Sequence, residues 1–337
     1  HAATDENIAL MVLDLGRMGS AGFGKLQDIG AALTRFKQSG KTIIAAGTYF
    51  SQHQYYLAAH ADRIYLHPMG QVWLSGYGVY RPYFKSALEK LRIRFHVFRV
   101  GTYKSALEPF FRDSMSQADR EANTSWLNVL WDAYKSEIGT LRGIEPERLQ
   151  DLIRNLDGYL KEQNGNAAQL ALHFGLVDGL KTPDEVRDEL IRLVGRNDSE
   201  NGRTERYKQI DFSDYRELVR TLVTAGETDR GQIGLIFAQG IIMDGKQPAG
   251  RIGAESMTRL IRKARESDTI KAVVIRIDSG GGSAVASEII RREVELTCQA
   301  GKPVVVSMST VAASGGYWIA LAADEIWAYP TSLTGSI

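Results

Sequence analysis

The chain has 337 residues, of which 44% are hydrophobic and 24% charged, and its formal net charge is +1. This is a globular composition with length enough for two cores. The balanced charge, with no basic run, argues against nucleic acid as a partner, and no apolar run is long enough to cross a bilayer. The single cysteine, Cys298, cannot form an internal disulfide; it reads as a small apolar helix residue and assigns no compartment.

From the N-terminus, an apolar run ends in Asp14-Leu15-Gly16, and Gly19 to Gly24 read as turn residues before a helical stretch. Gly40-Lys41, a strand at Ile43 to Ala45, Tyr55-Tyr56, Asp62-Arg63-Ile64-Tyr65 and Pro68 follow. His53, His60 and His67 recur every seven residues. His67 falls beyond the helix expected to carry the other two, and the spacing does not match ordinary ligand sets, so no metal is expected. Ile93 to Val100 alternates as a strand does and leads to Lys104. Ser105-x-x-Glu108 and Ser116-x-x-Asp119 both have capping-box spacing, the second opening a long helix with Trp126 and Trp131. Ala167 to Phe174 reads as a helix stopped by Gly175, then a short strand at Leu176-Val177-Asp178. Residues 196–230 are polar and glycine-punctuated, a linker between residues 1–195 and 231–337.

Beyond the linker come a strand at Ile233 to Phe237, a helix around Ser256 to Glu266, and Val273 to Ile277 ending in Asp278-Ser279-Gly280. A helix from Ala284 to Glu295, Gly301-Lys302, Val304 to Val306, Tyr317-Trp318, Asp324-Glu325-Ile326-Trp327 and Pro330 then repeat the earlier order. Strand, helix, strand, helix, strand is a right-handed βαβ progression, so an α/β fold of two tandem copies is expected. Nothing equivalent to the Ile233 strand precedes Asp14, and the second copy stops at Ile337. The repeat therefore predicts a fragment incomplete at both ends.

The chemistry centres on Ala312-Ala313-Ser314-Gly315-Gly316, where a strand run gives way to a helix. A serine there is bare and has free backbone N–H groups and a helix dipole beside it; equally, a small residue among small residues allows close packing. This is not G-x-S-x-G, because Ala312 replaces the first glycine. The loop Asp278 to Ser283 lacks the Lys-Ser/Thr of a P-loop and the spacing of a dinucleotide fingerprint, so its glycines suit an oxyanion hole or a Ser283-capped turn. All six histidines (His1, His53, His60, His67, His96, His173) lie upstream of the linker. The base for Ser314 must be one of these, a histidine outside the chain, or a lysine kept neutral by desolvation. Lys104 has apolar neighbours in Tyr103, Leu107, Phe110 and Phe111, although by itself it reads as a surface lysine.

V-G-T-Y-K-S-A-x-E-P-F, D-S-x-G-G-S, A-A-S-G-G-Y-W and S-L-T-G-S-I, in that order, closely resemble the bacterial signal peptide peptidase A (protease IV) family in its long, tandem-repeat form. The resemblance implies ClpP/crotonase-like domains and a Ser/Lys dyad, with Ser314 the nucleophile and Lys104 the general base. It further implies an oxyanion hole from Gly315 with the Gly281-Gly282 turn, Ser336 as a candidate for orienting the lysine, and no cofactor or metal. Cleaved signal peptides and other unfolded apolar peptides are the implied substrates. The implied assembly is a homotetramer with sites between protomers, anchored by a segment absent from this chain, on the periplasmic side of the bacterial inner membrane. Gly280 stands where the family usually has proline, which leaves that turn less stiff. In the first copy the position of Ser314 falls at Gln52 or His53. Two alternatives stay open on the sequence: a crotonase-like acyl-CoA enzyme, and an inactive membrane-associated scaffold.

Overall fold

The structure is a computed structural model, and it describes residues 1–197, 207–224 and 231–336. In chain order the elements begin β1 (Leu10–Leu13), α1 (Phe23–Lys37), β2 (Thr42–Ser51), α2 (Gln52–Ala58) and β3 (Arg63–Trp73). Next come α3 (Lys85–Lys90), α4 (Glu108–Phe111), α5 (Gln117–Arg142), α6 (Pro146–Arg154), α7 (Leu156–Glu162) and α8 (Ala167–His173). They are followed by β4 (Gly179–Leu180), α9 (Pro183–Val194), α10 (Phe212–Thr224), β5 (Gln232–Gln239), β6 (Ile242–Met243) and β7 (Ile252–Gly253). The chain closes with α11 (Ala254–Glu266), β8 (Ile270–Ser279), α12 (Ala284–Gln299), β9 (Val304–Ala313), α13 (Gly315–Ala320), β10 (Glu325–Trp327) and β11 (Leu333–Gly335). Contacts divide it into two units, His1–Gly76 with Asp132–Arg230, and Tyr77–Trp131 with Gly231–Ile337.

The first unit carries a parallel sheet in the order β1-β2-β3-β4. Ile43, Ile44, Ala45, Ile64 and Leu66 are fully buried, which is why these apolar runs read as strands covered on both faces. The Asp62 carboxylate accepts the Ile43 N–H at 2.8 Å and the Asp62 N–H donates to the Ile43 carbonyl at 2.8 Å, fixing where β3 starts against β2. Leu26, Leu33 and Phe36 form the buried stripe of α1. Gly30 sits in that stripe because a β-carbon there would lie 2.4 Å from His60 Nε2. On the sheet's other face, Leu190 of α9 packs against Ile44 and Tyr65. The short strand forms at Gly179–Leu180 rather than at Leu176 to Asp178, because the Asp178 carboxylate and N–H are already engaged with Ile64. Within the stretch read as a linker, α10 forms and Tyr215 donates to Asp5 at 3.0 Å; residues 198–206 and 225–230 lie outside the described residues.

In the second unit the parallel order is β5-β8-β9-β10, with β11 also paired to β9 and a separate β6-β7 pair. Val273, Ile275 and Ile277 of β8 and Val304, Val306 and Met308 of β9 bury against α11 and α12 through Ile261, Ile290 and Val294. The features that end and restart the chain here match those of the first sheet. Gly301 at φ +77° closes a helix as Gly40 does at +82°. Lys302 donates to the carbonyls of Ala264, Arg265 and Ser267, and Asp324 accepts the Val304 N–H at 2.7 Å. The alternating Ile93 to Val100 run, by contrast, forms no strand. It has no ladder partner among the described residues, and Phe98 and Val100 are 93% and 92% exposed. Alternation supplies strand propensity only; a lone strand without a sheet is not stable in water.

Candidate active site

The parallel sheet of the second unit brings the ends of β8 and β9 side by side, Ser279 opposite Ala312. One residue beyond β9, Ser314 turns the chain with φ +50° and ψ −122°, and α13 starts at Gly315. A side-chain-bearing residue at that φ is strained by about 1–3 kcal/mol. It is held there from both sides. Its N–H donates to the Gly335 carbonyl at 2.7 Å, and its carbonyl accepts the Trp318 N–H at 2.9 Å. The hydroxyl caps nothing, and the residue is half-buried.

The glycine turn after β8 packs directly onto this corner. Gly281 and Gly282 have φ of +97° and +156°. A β-carbon on Gly281 would lie 3.1 Å from Ser314 Oγ and 2.7 Å from the Gly315 nitrogen; one on Gly315 would lie 2.3 Å from Ser287 Oγ. Only glycines permit this approach of backbone to backbone. The turn is fixed by a bridge in which Ile242 N–H donates to Gly281 C=O (3.0 Å) and Ser283 N–H to Ile242 C=O (2.9 Å). Ser283 also caps α12, accepting the Ala286 N–H at 3.2 Å.

The oxyanion donors expected from sequence divide accordingly. Gly315 supplies the first N–H of α13, a position with no partner inside its own helix. The Gly282 N–H takes no part in the bridge. The Gly281 N–H, however, donates to Ser279 Oγ at 3.1 Å, while Ser279 itself donates to the Gly240 carbonyl at 2.7 Å. Gly281 is therefore a spacer and not a free donor, and of the Gly281-Gly282 turn only the Gly282 N–H is left for the expected role. The expected helix dipole is likewise modest, since α13 has six residues; the individual N–H groups matter more.

Ser336 directly follows the Gly335 that binds Ser314, with φ +55° and an exposed side chain. Lys104 lies in the Tyr77–Trp131 portion of the second unit. Its carbonyl accepts from Arg99 Nη1 at 3.0 Å, but its side chain is exposed and no hydrogen bond joins it to Ser314 or Ser336 among the described residues. The expected apolar shelter over the amine does not form among the described residues. Phe110 stacks on Phe95 at 4.8 Å, Phe111 lies under Arg99 at 5.6 Å, and Tyr103 is 60% exposed, so these rings pack elsewhere. Nor does Ser105 cap a helix with Glu108: its hydroxyl donates to Asp119, and the Glu108 carboxylate accepts the Ser116 N–H.

In the first copy, Ser51 pairs with Trp73 as Ala313 pairs with Gly335, which puts Gln52 rather than His53 in the place of Ser314. Gln52 is buried and helical; its Oε1 accepts the N–H groups of Ser75 (3.1 Å) and Gly76 (2.8 Å). Among the described residues no three His, Cys, Asp or Glu side chains gather as a metal site. No helix of these residues is long and apolar enough to cross a membrane.

Fold and corner together define a tandem parallel α/β protein that carries a strained serine beside a glycine turn, an arrangement suited to acyl transfer. The sequence profile of peptidase family S49 matches residues 35–195 and 297–337, more than half of the chain. Protease 4 of Salmonella typhi is 44% identical over the whole of this chain and 53% of its own length. The chloroplastic serine protease SPPA of Arabidopsis thaliana is 33% identical, over the whole of this chain and 48% of its own. The chain belongs to peptidase family S49. It spans about half the length of the curated relatives it matches. Among solved structures, 1510-N membrane-bound stomatin-specific protease in a mutant form aligns at 23% identity and a TM-score of 0.23, over 31% of this chain and 46% of that one. A ClpP1 mutant from Listeria monocytogenes aligns at 23% identity and a TM-score of 0.21, over 32% of this chain and 51% of its own.

Proposed function

We propose that the chain is the catalytic part of a serine endopeptidase in which Ser314 is the nucleophile and Lys104 the general base, acting on unfolded apolar peptides such as cleaved signal peptides. The observation that carries the reading is the Ser314 corner, a strained serine with an uncapped hydroxyl and Gly281 backbone packed against it. Neutral Lys104 takes the hydroxyl proton as Oγ attacks the peptide carbonyl. The Gly315 and Gly282 N–H groups stabilise the tetrahedral oxyanion, the ammonium protonates the leaving amine, and an acyl-enzyme remains. Water then attacks the ester with the lysine again as base, releasing the acid and restoring Oγ–H. Ser336 is the residue proposed to hold the amine.

A neutral lysine needs desolvation, and the Lys104 side chain is exposed among the described residues. We assign that role to a neighbouring protomer in a homotetramer attached to a membrane on its extracytoplasmic face. Exposed Phe98, Val100 and Tyr103 near Lys104 in sequence support such an assembly. The test uses an alkyl fluorophosphonate and an apolar reporter peptide on the assembled protein. Labelling should map to Ser314 and disappear in Ser314→Ala, and cleavage should be lost in both Ser314→Ala and Lys104→Ala. Undiminished cleavage in either variant sinks the dyad. Mixing the two inactive variants with subunit exchange should restore activity if the sites are shared between protomers.

A further inference from the structure

We infer that the exchanged pair of Ser-x-x-acid motifs around Lys104 is a device for holding the base in place, with Asp119 and Ser105 as positioning residues; this rests on the proposed role of Lys104. Two carboxylates lie almost wholly buried here, Glu108 at 1% and Asp119 at 2% exposure. As the spacing of Ser116-x-x-Asp119 predicts, the Ser116 hydroxyl caps α5 by accepting the Asp119 N–H at 3.1 Å, but the carboxylates of this pair and of Ser105-x-x-Glu108 are crossed over. Ser105 Oγ–H donates to Asp119 Oδ1 at 2.6 Å, and the Ser116 N–H donates to Glu108 Oε2 at 3.1 Å. Asn123 Nδ2 supports the same Asp119 oxygen at 2.7 Å, and Arg81 lies 3.6 Å from the other. Burial raises the Glu108 carboxyl, but the Ser116 bonds together with Arg112 and Arg99 outweigh it and leave it below the usual range.

All of this converges on the backbone of one residue. The Lys104 carbonyl accepts from Arg99 Nη1 at 3.0 Å, and the same nitrogen sits 3.6 Å from Glu108. The next residue is fixed twice, by its hydroxyl on Asp119 and by its carbonyl, which accepts the Glu108 N–H at 2.9 Å. The Lys104 amine is meanwhile exposed and unbonded among the described residues. Burying charge is costly and is weak evidence for stability; its best-attested use is to specify one conformation. Two buried carboxylates tied to the main chain at the carbonyl of one exposed lysine and at the residue after it fit a side chain that must reach a set point. A displacement of about 1 Å in a catalytic group can lower a rate about 100-fold.

The variants are Ser105→Ala, which leaves Asp119 its Asn123 bond, Asp119→Asn, and Ser105→Thr, which keeps the hydroxyl. In the assembled peptidase the first two should lower kcat about 10- to 100-fold, with KM within about twofold and a melting midpoint near that of the parent. Ser105→Thr should recover most of the rate. Added to Lys104→Ala, Ser105→Ala should slow fluorophosphonate labelling of Ser314 no further, because it acts only through the lysine. Wild-type kcat in Ser105→Ala and Asp119→Asn, or an additive loss in the double variant, overturns the positioning role. If Lys104→Ala is inactive while Ser105→Ala is normal, only this inference falls. A fully active Lys104→Ala removes the dyad and the positioning role with it.

Discussion

Two adjacent glycines should respond to the same substitution in opposite ways. At Gly281 a methyl group would sit 2.7 Å from the Gly315 nitrogen and 2.8 Å from Ser314 Cβ, at φ +97°. Left-handed strain costs about 1–2 kcal/mol, and forcing a carbon into a packed contact about 1–3 kcal/mol. Gly281→Ala should therefore destabilise the second unit by about 2–5 kcal/mol, a fall of about 10 °C at the roughly 2–4 °C per kcal/mol typical of this size. Catalytically the methyl wedges between the turn and the Gly315 N–H, and loss of one oxyanion donor lowers a rate about 100- to 1,000-fold. At Gly280 an added β-carbon meets nothing within 4 Å, and the residue does not have a positive φ. Gly280→Ala should stay within about 0.5 kcal/mol of the parent. The assay is the second-order rate of fluorophosphonate labelling at Ser314, measured below each variant's melting transition. Parent-like labelling of Gly281→Ala, or equal damage from both substitutions, would refute the packing argument for the turn.

Three further outcomes are expected. Gly280→Pro should raise stability by about 0.4–1 kcal/mol, because Ser279 before it is already extended and the position is open; a lowered melting midpoint would contradict this. Burial, with Lys37 as a lesser cause, lowers His60 to about 4 from 6.5, and its Nε2 has no partner among the described residues. The folded state thus keeps the ring neutral, so the stabilising contribution is complete above about pH 6.5 and is lost as pH falls towards 4. An NMR titration of the His60 ring with a midpoint near 6.5 in folded protein would show that reasoning wrong. Burial and then Asp324 push the Cys298 thiol up to about 11, so the native protein should resist iodoacetamide at pH 8 and react only on unfolding.

The repeat was legible because its markers have local causes. Gly40 and Gly301 end helices at positive φ, and Asp62 and Asp324 each fix the start of a strand by accepting a neighbouring strand's N–H. Residues with such fixed local duties keep recognisable spacing. Three features were not legible, each for a tertiary reason. Ile93 to Val100 has the alternation of a strand, but pairing depends on a partner that the run itself does not encode. The two Ser-x-x-acid motifs have the spacing of two capping boxes, and only the fold decides that their carboxylates cross over. In the glycine turn, composition shows that N–H groups are available but not that Ser279 Oγ takes the one at Gly281.

The first copy shows what makes a nucleophile here beyond a strand running into a helix. It keeps that junction, at β2 and α2, and even keeps a serine beside it. Yet Ser51 is extended (φ −65°, ψ 165°) and spends its hydroxyl accepting the Gln54 N–H as a helix cap. Gln52, in the place of Ser314, has helical backbone and is held by Ser75 and Gly76. A serine placed at 52 would meet no strained corner, and its Oγ would lie over the first turn of α2 instead of projecting from a bend. The reactive geometry therefore depends on the positive φ at 314 and the glycine backbone packed against it, not on the serine alone. On that basis Gln52→Ser should leave the first copy unlabelled by fluorophosphonate, while Ser314 in the same chain remains the labelled residue. Labelling at position 52 would show instead that the strand-to-helix junction is sufficient.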